Sequence, residues 1–355
     1  MAINFDSFTE GTTSNIQSND YVVGFDTAVP GGERKFRVST LANAVSGIIT
    51  PSLYQTWTTA TRPASPTLGK IGYNTTLQIV EYYNGTQWMT CEATRRSDQV
   101  IQAFTSSTTF TVPAGITNIS EVLVVAGGGG GGSSYGAGGG AGGVLYATNI
   151  LVTPGALITV TVGAGGTGGR GQGNGSPFAA SNGGNSVFGS FTAIGGGYGG
   201  QYINSGSTSA GSGGSGGGGY VGSGGPGTLG QGYAGGNGSA NGAGGGGAGE
   251  QGYPALSNII GANGGDGIPN PISGSTAGQL VGGVYYFSGG GASAGSSTNG
   301  IGGVGGGASG VTAGDGISGT PNTGGGGGGS YNWNGSAYAA VKGGDGGSGI
   351  VIIKY

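Results

Sequence analysis

EVLVVAGGGGGG, residues 121–132, is the stretch on which the chain turns. Four apolar residues, Val122 to Val125, suit a buried strand, and they run straight into unbroken glycine. A mirror of this junction closes the sequence, where GGDGGSGIVIIKY (343–355) passes from glycine back into an apolar run. The long segment between these two brackets reads as a glycine architecture pinned at both ends by β-strands.

Glycine and charge are distributed in opposite senses. Of the 96 glycines, 88 follow residue 100, whereas only eight charged side chains do: Glu121, Arg170, Glu250, Asp266, Asp315, Lys342, Asp345 and Lys354. Glycine is then about a third of that segment, a fibrous proportion. Net charge is −3 with no basic cluster, so the chain lacks the massed Lys and Arg that neutralise nucleic-acid phosphates. No nucleic-acid partner is expected. The start, MAINFDSFTEGTT, has neither the basic opening nor the apolar core of a secretory signal, and no apolar run is long enough to span a bilayer. A soluble chain that is not Sec-exported is expected.

The glycine region has a period. Non-glycine residues fall three apart at Ala164, Thr167 and Arg170; at Ser212 and Ser215; at Ser223, Pro226 and Leu229; at Ile301 and Val304; and at Asp345, Ser348 and Val351. Three residues per turn is the signature of polyproline II, which makes no internal hydrogen bonds. Every N–H and C=O then needs a partner on a neighbouring helix. Close approach demands glycine on inward faces, while one position in three carries a side chain outward. Ordering glycine costs more chain entropy than ordering any other residue, so a dense lattice is required. The apolar segments 145–151, 187–194, 256–260 and 280–287 are expected to cover it. Collagen is excluded by the slipping register and the 12 prolines of the chain, and a phosphate-binding loop by the absence of G-K-[ST].

Three domains are expected. Residues 1–50 form a small mixed module with strands at 20–25 and 34–38 and a short helix, Leu41 to Ser46, capped by Ser39 or Thr40 and stopped by Gly47. Residues 51–100 form a β connector, with strands at 70–73, 78–83 and 86–91 and a type I′ turn at Asn84-Gly85. Residues 101–355 form the glycine domain, in which 108–113 and 121–126 read as a strand pair. With 156–162 and 349–354 they make one sheet or sandwich wall. The small modules are too short to bury much core, and Cys91 is the only cysteine, so identical copies are expected to supply the missing core.

Catalytic chemistry has little to work with. The chain has no histidine, which removes the commonest general base and metal ligand, and Cys91 lacks a histidine partner. No catalytic residue, metal or cofactor is expected, although cleavage of polysaccharide by paired carboxylates remains a third reading. Aromatics are the better lead. Tyr198, Tyr202, Tyr220, Tyr233, Tyr253, Tyr331, Trp333 and Tyr338 sit among Asn, Ser and Gly, a composition suited to recognition surfaces. They are candidate host-binding residues, with the alternative that they roof the glycine lattice. Tyr331, Trp333 and Tyr338, in SYNWNGSAY, are favoured for recognition.

These motifs resemble a known group. TRPASPTLGKIGYNTTLQIVEYYNGTQWMT (61–90) is similar to a small β module of bacteriophage tail-fibre proteins. TFTVPAGITNISEVLVVAGGGGGG (109–132) with GGSGIVIIKY (346–355) resembles the glycine-rich domain of phage fibres, including the tip adhesins of T-even-like phages. DYVVGFDTAVPGGERKFRVSTLANAVS (20–46) is similar in style to fibre N-termini that dock on the virion. The resemblance implies a homotrimeric virion fibre, assembled in the host cytoplasm. Residues 1–50 would attach to other tail, neck or baseplate proteins, and stacked polyglycine II helices would present loops to a host polysaccharide or outer-membrane protein. A structural appendage without receptor binding is the alternative. The expected fold class is mostly β with a polyglycine II sandwich.

Overall fold

The computed structural model describes residues 21–25, 33–37, 55–77, 79–90, 99–171, 178–203, 206–239, 241–257, 259–331 and 341–355. The chain divides into two compact units, Met1–Gln99 and Val100–Tyr355. It is almost entirely β, in several small open sheets. The helix expected at 41–46 lies outside the described residues.

In the first unit, β1 (Tyr21–Phe25) pairs antiparallel with β2 (Glu33–Arg37). A four-stranded sheet follows, built from β3 (Thr56–Trp57), β4 (Ile71–Asn74), β5 (Ile79–Tyr83) and β6 (Trp88–Thr90) in that order. The expected three-strand meander is present and gains β3, which runs parallel to β4. The turn differs from the expectation. Tyr83 lies opposite Trp88, leaving a four-residue loop in which only Gly85 has positive φ. Type I′ needs positive φ at both central residues. Here Asn84 Oδ1 instead accepts from the amides of Thr86 and Gln87 at 2.9 and 2.8 Å.

One face of this sheet is closed by the segment containing Trp57 and Arg62. Trp57 packs 4.6 Å from Trp88, centroid to centroid, and a Cβ on Gly72 would fall 2.1 Å from the Trp57 ring. Glu81, buried beneath them, accepts from Trp57 Nε1 at 3.0 Å, Asn74 Nδ2 at 3.1 Å and Arg62 Nε at 3.0 Å, and pairs with the Arg62 guanidinium. Burial pushes its carboxyl up, but the hydrogen bonds from Arg62, Trp57 and Asn74 and the Arg62 charge outweigh this and hold it below the ordinary glutamate value.

The second unit contains β7 (Ile101–Phe104), β8 (Thr108–Thr111), β9 (Asn118–Val125), β10 (Val144–Leu151), β11 (Leu157–Thr161), β12 (Ser186–Phe188) and β13 (Phe191–Ala193). Then come β14 (Tyr202–Ile203), β15 (Gly206–Ser207), β16 (Ile268–Pro269), β17 (Gln279–Val281), β18 (Val284–Phe287) and β19 (Ile350–Lys354). Two four-stranded sheets, β10-β9-β19-β7 and β13-β12-β11-β8, share a core of Phe104, Phe110, Val122, Val124, Val160, Phe188, Val351 and Ile353. The expected pairing of 108–113 with 121–126 does not occur. β8 pairs with β11, and β9 lies between β10 and β19.

Alternation explains why Val122–Val125 of β9 and Ile350–Ile353 of β19 are apolar on both faces. Val122, Val124, Val351 and Ile353 face the other sheet. Leu123, Val125, Ile350 and Ile352 turn the opposite way, onto Ile272 and Phe287, beneath the small sheet β16-β18-β17. A strand buried on both faces has no polar positions.

The glycine segments hang from this sandwich. From Gly127 to Gly132, consecutive amides donate to Gly184, Gly347 and Gly140, then to Ser181, Gly344 and Ala137, at 2.8–3.0 Å. The partner segment recurs every third residue. The carbonyls follow the same rule: those of Gly127 and Gly130 accept from Gly196 and Gly199, those of Gly128 and Gly131 from Gly166 and Gly169, and those of Gly129 and Gly132 from Gly327 and Ser330. Residues 127–132 are therefore enclosed by six other segments, and all their backbone groups are paired, as burial requires. A Cβ on any of these six glycines would lie 2.0–2.3 Å from a neighbouring carbonyl oxygen. On the outer segment, Ala164, Thr167 and Arg170 are exposed while Gly163, Gly166 and Gly169 are buried.

The expected apolar cover is largely absent. Leu256, Ile259 and Ile260 are exposed, Leu280 and Leu151 likewise, and only parts of 187–194 and 280–287 are buried. The inner glycine segments are covered by other glycine segments, because a backbone partner satisfies hydrogen bonds that a leucine cannot.

Candidate functional site

The second unit has two unlike ends. β9 leads toward the glycine segments, and β19 returns from them to finish opposite Glu121, where Ile101 of β7 pairs with Lys354. Val100 and Tyr355 exchange backbone hydrogen bonds there, at 2.8 and 3.1 Å. The chain thus enters the unit on the side of the sandwich remote from glycine.

At the opposite end, four glycine segments finish together. Gly132 accepts from Ser330, Gly200 donates to Gly218, and Ala137 joins Gly132 to Gly200. Each segment runs on into a tyrosine: Tyr135, Tyr202, Tyr220 and Tyr331. Tyr135 meets Tyr331 edge to face at 4.9 Å and stacks on Tyr220 at 6.1 Å, and Tyr202 meets Tyr220 at 6.3 Å. Such pairs favour offset or T-shaped contact. The turn beneath them is strained, with Ser134 and Tyr135 both at positive φ, 54° and 64°. Gln201 braces it: fully buried, its side chain accepts from Ser133 N at 3.3 Å and donates to the carbonyls of Phe178 and Arg170 at 2.9 and 3.3 Å.

The structure separates the candidate residues. Tyr202, Tyr220 and Tyr331 belong to this cap, with Tyr331 only 6% exposed. Trp333 and Tyr338 lie outside the described residues, in the connection from Tyr331 to Val341. Tyr198, Tyr233 and Tyr253 sit on the glycine segments themselves, half-buried in the first case and exposed in the others. The Tyr253 hydroxyl donates to Glu250 at 2.8 Å. That hydrogen bond and the glutamate charge push its pKa up. It borders a groove of about 270 Å³ with Asn237 and Gln251. A larger groove of about 470 Å³ lies at the sandwich end, along β7, β8 and Tyr355, away from the tyrosine cap.

Two residues of the cap were missed in the sequence. Tyr135 lies in SSYG between glycine tracts, the same setting as the chosen tyrosines, and was legible. Gln201 carried no signal, since its role depends on carbonyls distant in the chain.

The scattered acids are each engaged. Asp266 accepts from Val304 N at 2.8 Å and Asp315 from Lys342 N at 2.8 Å, and Asp345 accepts from Gly168 N at 2.7 Å and from Lys342 Nζ at 2.6 Å. Among the described residues no group of three His, Cys, Asp or Glu could hold a metal, and no helix is long and apolar enough to cross a membrane.

Fold and cap together define a strand-anchored glycine-rich protein. A family model described as a glycine-rich domain matches residues 102–355, and the chain belongs to that family. No curated protein matches it.

Proposed function

We propose that the chain is a bacteriophage virion fibre. Residues 1–50 attach to other virion proteins, three copies associate, and the glycine segments run as polyglycine II helices that hold host-binding residues away from the particle. The threefold recurrence of hydrogen-bond partners supports the helix type, since polyglycine II repeats every three residues at about 3.1 Å per residue. Residues 127–132 then span roughly 19 Å. Attachment to a host polysaccharide or outer-membrane protein requires no catalytic residue of this chain.

The observation that carries the reading is the polarity of the second unit. Its link to the first unit is at the sandwich end, and its clustered tyrosines are at the other. Triple substitution of Tyr220, Trp333 and Tyr338 by alanine is expected to abolish adsorption to host cells while the sandwich stays folded. Unchanged adsorption overturns adhesion.

A second reading, a structural appendage, draws on the burial of Tyr331, which suits a ring that roofs the lattice. Labelled imaging of the particle separates the two: a free tyrosine end favours adhesion, and an end held against other virion proteins favours structure.

A further inference from the structure

The sheet β3-β4-β5-β6 is built inside out. Opposed residues share a face, so Gly72, Asn74, Ile79, Glu81, Tyr83 and Trp88 lie on the side closed by Trp57 and Arg62. At the centre of that closed side is a carboxylate with its hydrogen-bond partners. The other side carries apolar and tyrosine side chains at every paired position: Ile71 opposite Tyr82, Tyr73 opposite Val80, and Tyr82 opposite Met89. There Ile71, Tyr73 and Val80 are 53%, 36% and 38% exposed. Among the described residues of 55–90, Trp57 is the only large apolar side chain that is buried.

We infer that the face formed by Ile71, Tyr73, Val80, Tyr82 and Met89 is where copies of this chain meet. This rests on the multi-copy reading of the fibre and adds the surface that makes it. Three features select the other copies of the chain as the occupant. The face carries no charged side chain at any of its five positions, so it complements itself and repels nothing on a symmetry mate. A sheet with so little buried apolar surface needs cover for its stability, and the other copies of the fibre are available wherever the chain is made. Five such side chains offer an apolar patch of roughly 300–600 Å², as large as soluble monomers leave bare, yet below the roughly 800 Å² per partner of a standard interface. Contact through this face alone is therefore reversible on dilution.

Sedimentation equilibrium of the full chain tests the assignment. The wild type is expected to show a mass above one chain that falls toward the monomer on serial dilution. Tyr73→Lys and Val80→Lys should each weaken association by about 100-fold, because a buried unpaired ammonium must be desolvated, and circular dichroism should be unchanged. Leu151→Lys, an exposed leucine of β10 in the other unit, should associate as the wild type does. If the lysine variants misfold, Val80→Thr decides, with an expected loss of about fivefold to tenfold in association. A wild type that is monomeric at every concentration overturns the face and the multi-copy reading together, and leaves cover by residues 1–54 or by another virion protein. Association that survives Val80→Thr and both lysine variants overturns the face alone.

Discussion

Glu121 and Lys354 stand opposite each other on β9 and β19 and form an ion pair at 3.1 Å. They belong to the two junctions that bracket the glycine region, so this contact is where the opening and closing strands are clasped. Tyr146 adds a 2.8 Å hydrogen bond to the same carboxylate from β10. The pair is mostly shielded from solvent, which raises its worth above that of a surface pair. Lys354→Met is expected to cost about 1–2 kcal/mol in denaturant unfolding of the second unit, whereas an unchanged midpoint would show the clasp to be ornamental.

Interior glycines tolerate no side chain. A Cβ on Gly130 would lie 2.1 Å from the carbonyl oxygen of Thr167, and rigid backbone cannot yield as a side-chain tip would. Gly130→Ala should destabilise the second unit by at least about 3 kcal/mol or prevent its folding. Ala164→Gly, on the exposed side of the segment that touches it, should cost no more than about 1 kcal/mol. Equal losses at the two sites would contradict the enclosed packing of residues 127–132.

Gln201 gives a sharper test of the tyrosine cap. Truncation in Gln201→Ala leaves the carbonyls of Arg170 and Phe178 and the amide of Ser133 without these bonds. A loss of about 2–3 kcal/mol is expected, with altered near-ultraviolet dichroism from the clustered tyrosines. A native tyrosine spectrum in the variant would mean that the strained turn holds itself.

Acid acts on the first unit through Glu81. Its carboxyl is held below the ordinary value of 4.5 by its hydrogen-bond donors and Arg62, against the upward push of burial. A depressed folded pKa gives stability that is fully present above the unfolded value and is lost as pH falls through the folded value. The tryptophan signal of the Trp57 and Trp88 pair should therefore report weakening below about pH 4.5. In Glu81→Gln this acid dependence should disappear, and the sheet should be less stable at neutral pH because Arg62 is left unpaired. An identical acid midpoint in the variant would assign the transition to another group.

Much of the second unit was legible because its rules are local. Four apolar residues before glycine meant a buried strand, and spacing by three at Ala164, Thr167 and Arg170 meant one outward position in three. Strand pairing was not legible: nothing in 108–113 says that it turns from β9 to join β11. The cap was read in part: Tyr202, Tyr220 and Tyr331 belong to it, whereas Tyr198, Tyr233 and Tyr253, in the same company of Ser, Asn and Gly, sit along the segments, and the bracing amide of Gln201 serves residues far off in the chain.

By itself the sequence determined the glycine content of each inner segment, the strands that bracket the whole, and the poverty of charge beyond residue 100. Only the tertiary structure decided which six segments enclose Gly127 to Gly132 and which tyrosines meet. Glycine carries no side chain to encode a partner, so neighbour choice is made by the strands that set where each segment starts and by the turns that set where it ends.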